Sequence, residues 1–258
     1  MCSPTRQALL TGRNHHSVGM GNITETATAA PGYTSVLPNT KAPLAQTLKL
    51  NGYSTAQFGK CHEVPVWQTS PAGPFTGWPT GGGGFEYFYG FIGGENNQWD
   101  PALYEGDHPP DRAARSPAEG YHLTEDLADK AINWVRQQKA LLPDKPFFMY
   151  FAPPGATHAP HQVPQEWIDK YRGKFSHGWD RQREITFERQ KELGVIPPDA
   201  VLTPRDAEIP AWDDMDPELR PALERQMEVY AASWNTPITT WVACSTRSNP
   251  YWTTRSCI

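Results

Sequence analysis

The 258 residues carry 23 Lys and Arg against 28 Asp and Glu, a net charge of −5 that gives no general attraction for nucleic acid or an anionic membrane. Hydrophobic residues make up 38%, enough for a core, and 26 prolines with 21 glycines favour a loop-rich α/β protein over a helical bundle. No apolar run reaches the roughly 18 residues of a membrane span, and the start lacks a charged region followed by an apolar core, so the chain as written reads as cytoplasmic.

The first stretch is Met1-Cys2-Ser3-Pro4-Thr5-Arg6-Gln7-Ala8-Leu9-Leu10-Thr11-Gly12-Arg13. Pro4 suits the first turn of a helix, where its missing N–H costs nothing, and Ala8, Leu9 and Leu10 are expected to form a short buried face. Cys2 then stands at or just before a helix N-terminus, where unpaired N–H groups favour bound anions and the thiolate. An anion site holding a reactive group is the expectation. Cys2, Cys61, Cys244 and Cys257 show no Cys-x-x-Cys spacing, so neither a zinc ribbon nor a thioredoxin-like pair is indicated.

Residues 14–40 are rich in Thr, Gly, Asn and Pro and read as a loop, with His15-His16 as polar surface. A helix is expected over 42–51, with Leu44, Ala45 and Leu48 on its apolar side and Gly52 ending it. A short strand over 53–59 follows, which makes an α/β step. Beyond it stands Gly59-Lys60-Cys61-His62-Glu63. Ligand groups in open α/β sheets gather past the carboxyl ends of strands, so Lys60 and His62 could share a pocket. The plain alternative is a solvated lysine and a hydrogen-bonded loop histidine.

Residues 64–120 are dominated by Pro, Gly and aromatics, including the run from Gly81 to Phe91; so many aromatics imply a packed excursion rather than a disordered linker. The clearest helix is expected over 123–142, capped by Thr124, with Leu127, Ala131, Trp134 and Val135 as its apolar stripe and Pro143 ending it. The continuous apolar run at 146–152 reads as a central strand buried on both faces. Thr157-His158-Ala159-Pro160-His161 follows at another carboxyl end. As a metal pair His158 and His161 lack further zinc ligands, and His161 reads as loop structure.

Two polar helices are expected in 164–196, the first opened by Pro164 and the second over 180–193 stopped by Gly194. Asp216-Pro217 should open another helix that runs through Leu223, Met227 and Tyr230 to Ala232. From Ser233 to Ile258 the sequence has no Asp, Glu or Lys and is crowded with Thr, Ser, Trp and Cys, as if the helix were broken in mid-stripe.

Cys2-x-Pro4-x-Arg6 followed by Leu10-Thr11-Gly12-Arg13 resembles the signature of the type I sulfatases, whose cysteine is oxidised to formylglycine. Gly59-Lys60-Cys61-His62 matches their Gly-Lys-x-His, with Cys61 where Trp is common, and His158 aligns with a family histidine after a strand. The resemblance covers residues 2–232. It implies an α/β fold like that of alkaline phosphatases and sulfatases, a mixed sheet flanked by helices, incomplete in this chain. It also implies cleavage of a small-molecule sulfate ester, by attack of hydrated formylglycine on sulfur, after a formylglycine-generating enzyme has modified Cys2.

By the same resemblance Arg6 would hold the formylglycine oxygens, Lys60 would bind sulfate oxygens, His62 would assist elimination, and His158 would contact sulfate and protonate the leaving oxygen. The family also binds calcium through an upstream Asp-Asp pair and a downstream Asp-Asn pair; this chain shows neither, so no metal ligands are assigned and the truncated form is expected to be inactive. A non-catalytic remnant and a phosphodiester or phosphonate hydrolase are the alternatives. Residues 233–258 are expected to be a frameshifted tail that does not fold natively, because one back-translation read in a neighbouring frame gives a charged helix like the one sulfatases carry there.

Overall fold

The computed structural model describes residues 1–110, 116–153 and 160–236, together with the backbone of 237–247. It divides into two compact units, Met1–Gln162 with Pro237–Ile258, and Val163–Thr236. The first unit holds a four-stranded sheet of β1 (Ser54–Cys61), β2 (Tyr87–Ile92), β3 (Tyr104–Glu105) and β4 (Phe147–Ala152), in the order β3-β2-β1-β4. β1 runs parallel to both β2 and β4, whereas β3 is antiparallel to β2, so the sheet is mixed, as the family resemblance implies.

The interior strand is not the one that the apolar pattern selects. β4 lies at the edge of the described sheet with all six residues half-buried, and β1 is buried along all eight positions. β1 escapes an apolar pattern because it contains Ser, Thr, Gln and Lys; the Thr55 and Gln57 side chains are buried by finding local partners. Thr55 Oγ1 donates to Gly84 O at 3.0 Å, and Gln57 Nε2 donates to Lys60 O at 3.1 Å. The strand also runs on through Lys60 and Cys61, two residues past the expected end. β2 and β3 lie inside the aromatic excursion, where the sequence suggested packing but no strands.

α1 (Cys2–Thr11) and α2 (Leu44–Leu50) lie with one face of the sheet, where Leu10, Ala45 and Phe85 cluster with Phe148 and Tyr150. α3 (Leu123–Leu141) covers the other, packing Leu127, Ala131, Trp134 and Val135 on Ala56, Phe58, Tyr89 and Phe91. Its cap is His122 rather than Thr124: the His122 ring accepts from Thr124 N, while Thr124 itself is buried in the first turn. Asp126 in that turn accepts from Tyr89 Oη at 2.6 Å and Tyr121 Oη at 3.0 Å, which ties the helix start to β2.

The buried face of α1 is Ser3, Pro4, Gln7, Leu10 and Thr11, and Leu9 is 65% exposed. Three consecutive residues are about 100° apart on a helix and cannot share one face, so Ala8-Leu9-Leu10 never forms the expected stripe.

The second unit contains α4 (Gln165–Asp169), with Pro164 at its N-cap, and α5 (Gly178–Glu192). Asp180 fixes the connection after α5 by accepting from Arg205 Nη1 at 2.9 Å and Trp212 N at 2.8 Å. α6 spans Arg220–Arg247. It starts later than expected because Asp216 caps a turn, accepting from Glu218 N at 2.9 Å, before the helix begins. It also continues past Ala232, so the backbone shows no break where the composition changes. Among the described residues no helix is long and apolar enough to cross a membrane.

Candidate active site

The site forms where the first turn of α1 meets the carboxyl end of β1. Gly59 and Gly90 let three backbones converge there: a Cβ on Gly59 would lie 2.2 Å from Ala152 O, and one on Gly90 would lie 1.9 Å from Gly59 O. Gly59 also has φ +99°, a conformation that glycine adopts without steric cost. Lys60 and His62 therefore leave the sheet from a tightly held position beside the start of α1.

Cys2 is the first residue of α1, and its Sγ lies 2.8 Å from His62 Nδ1. On the far side of the ring, Nε2 lies 2.8 Å from both carboxylate oxygens of Glu25. A carboxylate only accepts, so Nε2 carries the hydrogen and Nδ1 is left as an acceptor toward Cys2. Burial pushes the His62 pKa below the ordinary histidine value, against the opposing pull of Glu25, so the ring is neutral at neutral pH. The ring also packs against the loop backbone, where a Cβ on Gly94 would meet His62 Cε1 at 2.9 Å.

Lys60 is 2% exposed, and its Nζ makes no hydrogen bond. Burial lowers its pKa, as does the charge of Arg6, while Cys2 and Glu63 oppose the shift. An unpaired buried ammonium is costly, and it suits a site built to receive an anion.

Arg6, one turn along α1 from Cys2, holds the framework. Its Nε pairs with Glu63, its Nη2 donates to Lys60 O at 2.5 Å, and its guanidinium lies 5.3 Å from the centre of the Tyr150 ring. Arg6 thus clamps α1 to the end of β1 in this structure through Nε and Nη2. The sequence expectation placed it on formylglycine oxygens.

Four of the five residues singled out from sequence, Cys2, Arg6, Lys60 and His62, come together here; His158 lies outside the described residues. Sequence reasoning missed Glu25, which stands in a Thr-Glu-Thr stretch with no motif around it, and gave Glu63 no role although it adjoins His62. Cys61 is buried among Val64, Trp78 and Phe88, and burial raises its thiol well above the usual value, so it is core rather than chemistry. His16 is exposed, as expected of polar surface, but stands in a 3-10 helix, His15–Val18, rather than a loop, and bonds to Tyr33 Oη at 3.1 Å.

The fold and this cluster define an α/β protein with a thiol, an imidazole and an unpaired ammonium at one end of its central strand. The Sulfatase family model matches residues 1–235, and the chain belongs to that family. An uncharacterized sulfatase of Schizosaccharomyces pombe is 33% identical over 244 residues, covering 90% of this chain and 43% of that protein. An arylsulfatase of Klebsiella aerogenes is 27% identical over 241 residues, covering 90% of this chain and 49% of that protein. The chain thus spans about half the length of these relatives. Among solved structures, yidJ of Bacteroides fragilis superimposes with a TM-score of 0.62 at 17% identity, covering 97% of this chain and 49% of that one. This likeness shows the shared fold.

Proposed function

We propose that the chain forms part of a sulfuric ester hydrolase of arylsulfatase type, with its reacting group at residue 2. The observation that carries this reading is the placement of Cys2 Sγ 2.8 Å from a neutral imidazole nitrogen, beside a buried ammonium with no hydrogen-bond partner. Modified by a formylglycine-generating enzyme, residue 2 would supply a hydrated aldehyde as nucleophile toward sulfur. Lys60 neutralises a sulfate oxygen as charge gathers on the transferring group, a role that a water-poor site strengthens. His62 Nδ1 takes a proton at residue 2, and Glu25 holds the ring in the tautomer that allows it. Arg6 keeps the two elements in register. His158 is proposed as the proton donor to the leaving oxygen.

Calcium needs roughly six to eight hard oxygen ligands. Among the described residues no group of three or more His, Cys, Asp or Glu could hold a metal ion, and the ammonium of Lys60 sets positive charge beside Cys2. These residues do not fit calcium, and no step is routed through it.

The reading is tested by coexpression with a formylglycine-generating enzyme and paired assays on an aryl sulfate and the matching aryl phosphate. Although the missing metal ligands lead the sequence to an expectation of inactivity, the assembled cluster predicts turnover of the sulfate that is lost in Cys2→Ala; preference for the phosphate would instead favour a phosphoester hydrolase, and no turnover of either would favour the inactive, non-catalytic remnant.

We further propose that residues 233–258 come from a shifted reading frame. Support lies in their lack of Asp, Glu and Lys and in the family match ending at residue 235. Sequencing the locus is expected to show a one-base shift that restores a charged helix, and finding none in either neighbouring frame would refute it.

A further inference from the structure

Formylglycine chemistry uses only the oxidised form of residue 2, yet the structure places a thiol there with a base and an orienting group already in line. We propose that, with Cys2 unmodified, Cys2, His62 and Glu25 act as nucleophile, base and orienting carboxylate, giving the chain a thiol reactivity of its own toward carbon electrophiles that carry a carboxylate.

Three observations carry this. Cys2 Sγ and His62 Nδ1 are 2.8 Å apart, the hydrogen-bond reach that a nucleophile and its base require. Glu25 grips Nε2 through both oxygens at 2.8 Å, which leaves Nδ1 free to accept the thiol proton. Lys60, 2% exposed and without a hydrogen-bond partner, supplies the cation that would favour an anionic electrophile over a neutral one. Cys61 provides an internal contrast, being 3% exposed within an apolar cluster.

The step balances without an oxidant. With iodoacetate as electrophile, the Sγ–H proton passes to His62 Nδ1, the Sγ–carbon bond forms as the carbon–iodine bond breaks, and iodide leaves. The imidazolium, steadied by Glu25, then returns its proton to water. Because the thiol and the formylglycine are alternative states of residue 2, the failure of this proposal leaves the sulfatase reading intact, and the reverse also holds.

The test is alkylation of the full chain made without a formylglycine-generating enzyme, followed by mass spectrometry of the Cys2 and Cys61 peptides. Cys2 is expected to react at least about tenfold faster than the same residue in the isolated peptide, a floor below the roughly hundredfold low end of general-base assistance. Iodoacetate should outpace iodoacetamide at Cys2, and Lys60→Met should erase that preference. Glu25 is a positioning residue and is half exposed, so Glu25→Gln should fold, which circular dichroism checks. That variant should lose most of the enhancement, while Glu25→Asp restores part of it. The pH profile separates this role from a structural one: the acid limb of the wild-type rate should lie below the ordinary histidine value of 6.5, and Glu25→Gln, which removes the carboxylate that holds the His62 pKa up, should move that limb lower still. Cys2 reacting at the peptide rate, or folded Glu25→Gln reacting like wild type with an unmoved profile, overturns the proposal.

Discussion

Lys60→Met is expected to raise the melting temperature while abolishing sulfate ester hydrolysis. The wild-type ammonium is buried without a hydrogen-bond partner, and burial is the main cause of its lowered pKa. Removing an uncompensated buried charge while keeping the side-chain volume returns part of a desolvation penalty of several kcal/mol per ion, so a gain of about 1–3 kcal/mol is expected. At this chain length that corresponds to roughly 2–10 °C. The pH dependence gives a second reading. Between the depressed folded pKa and the ordinary value of 10.5, the unfolded chain holds a proton that the folded chain has lost. Wild-type stability should therefore climb with pH across that window through this group, and the Lys60→Met variant should lack the climb. Scanning calorimetry at neutral and alkaline pH decides it, and a lower melting temperature in the variant would show that the ammonium is paired after all.

Arg6→Ala is expected to have the largest structural effect of any single change at the site. Arg6 is the ion-pair partner of Glu63, whose side chain is only 9% exposed, and it also bonds to the carbonyl of Lys60. Truncating it strands a buried carboxylate, a change that costs about 3–5 kcal/mol when a buried pair is broken from one side. A loss on the order of 10 °C in melting temperature follows. Arg6→Lys should recover little, because an ammonium cannot reproduce the planar fork that reaches both partners. The double variant Arg6→Met with Glu63→Gln should be milder than Arg6→Ala alone, since the stranded charge is gone. Chemical denaturation of the three variants measures this, and equal losses in all three would mean that the cost is packing rather than charge.

How far the sequence revealed the molecule depended on whether a feature was local or shared between distant segments. α3 was legible from its stripe because Leu127, Ala131, Trp134 and Val135 repeat at helical spacing and all meet the sheet. The order of strands was not legible, because burial of β1 comes from neighbours on both sides rather than from its own composition. An apolar run can sit at the edge of the described sheet, as Phe147–Ala152 does, when helices or loops cover its faces. At the site, Cys2, Lys60 and His62 were readable because their chemistry sits in short motifs. Glu25 was not, because its contact exists only once the 3-10 turn Thr24–Thr26 is folded beside a histidine 37 positions along the chain. Arg6 was found, but its pairing with Glu63 was not, since nothing in its motif points there.

Titration of inorganic sulfate into the wild-type chain and into Lys60→Met, followed by calorimetry at neutral pH, tests most directly whether this cluster is built for a sulfate group. A single saturable site in the wild-type chain that disappears in the variant is the expected result. Equal binding by both proteins, or none by the wild type, would contradict it.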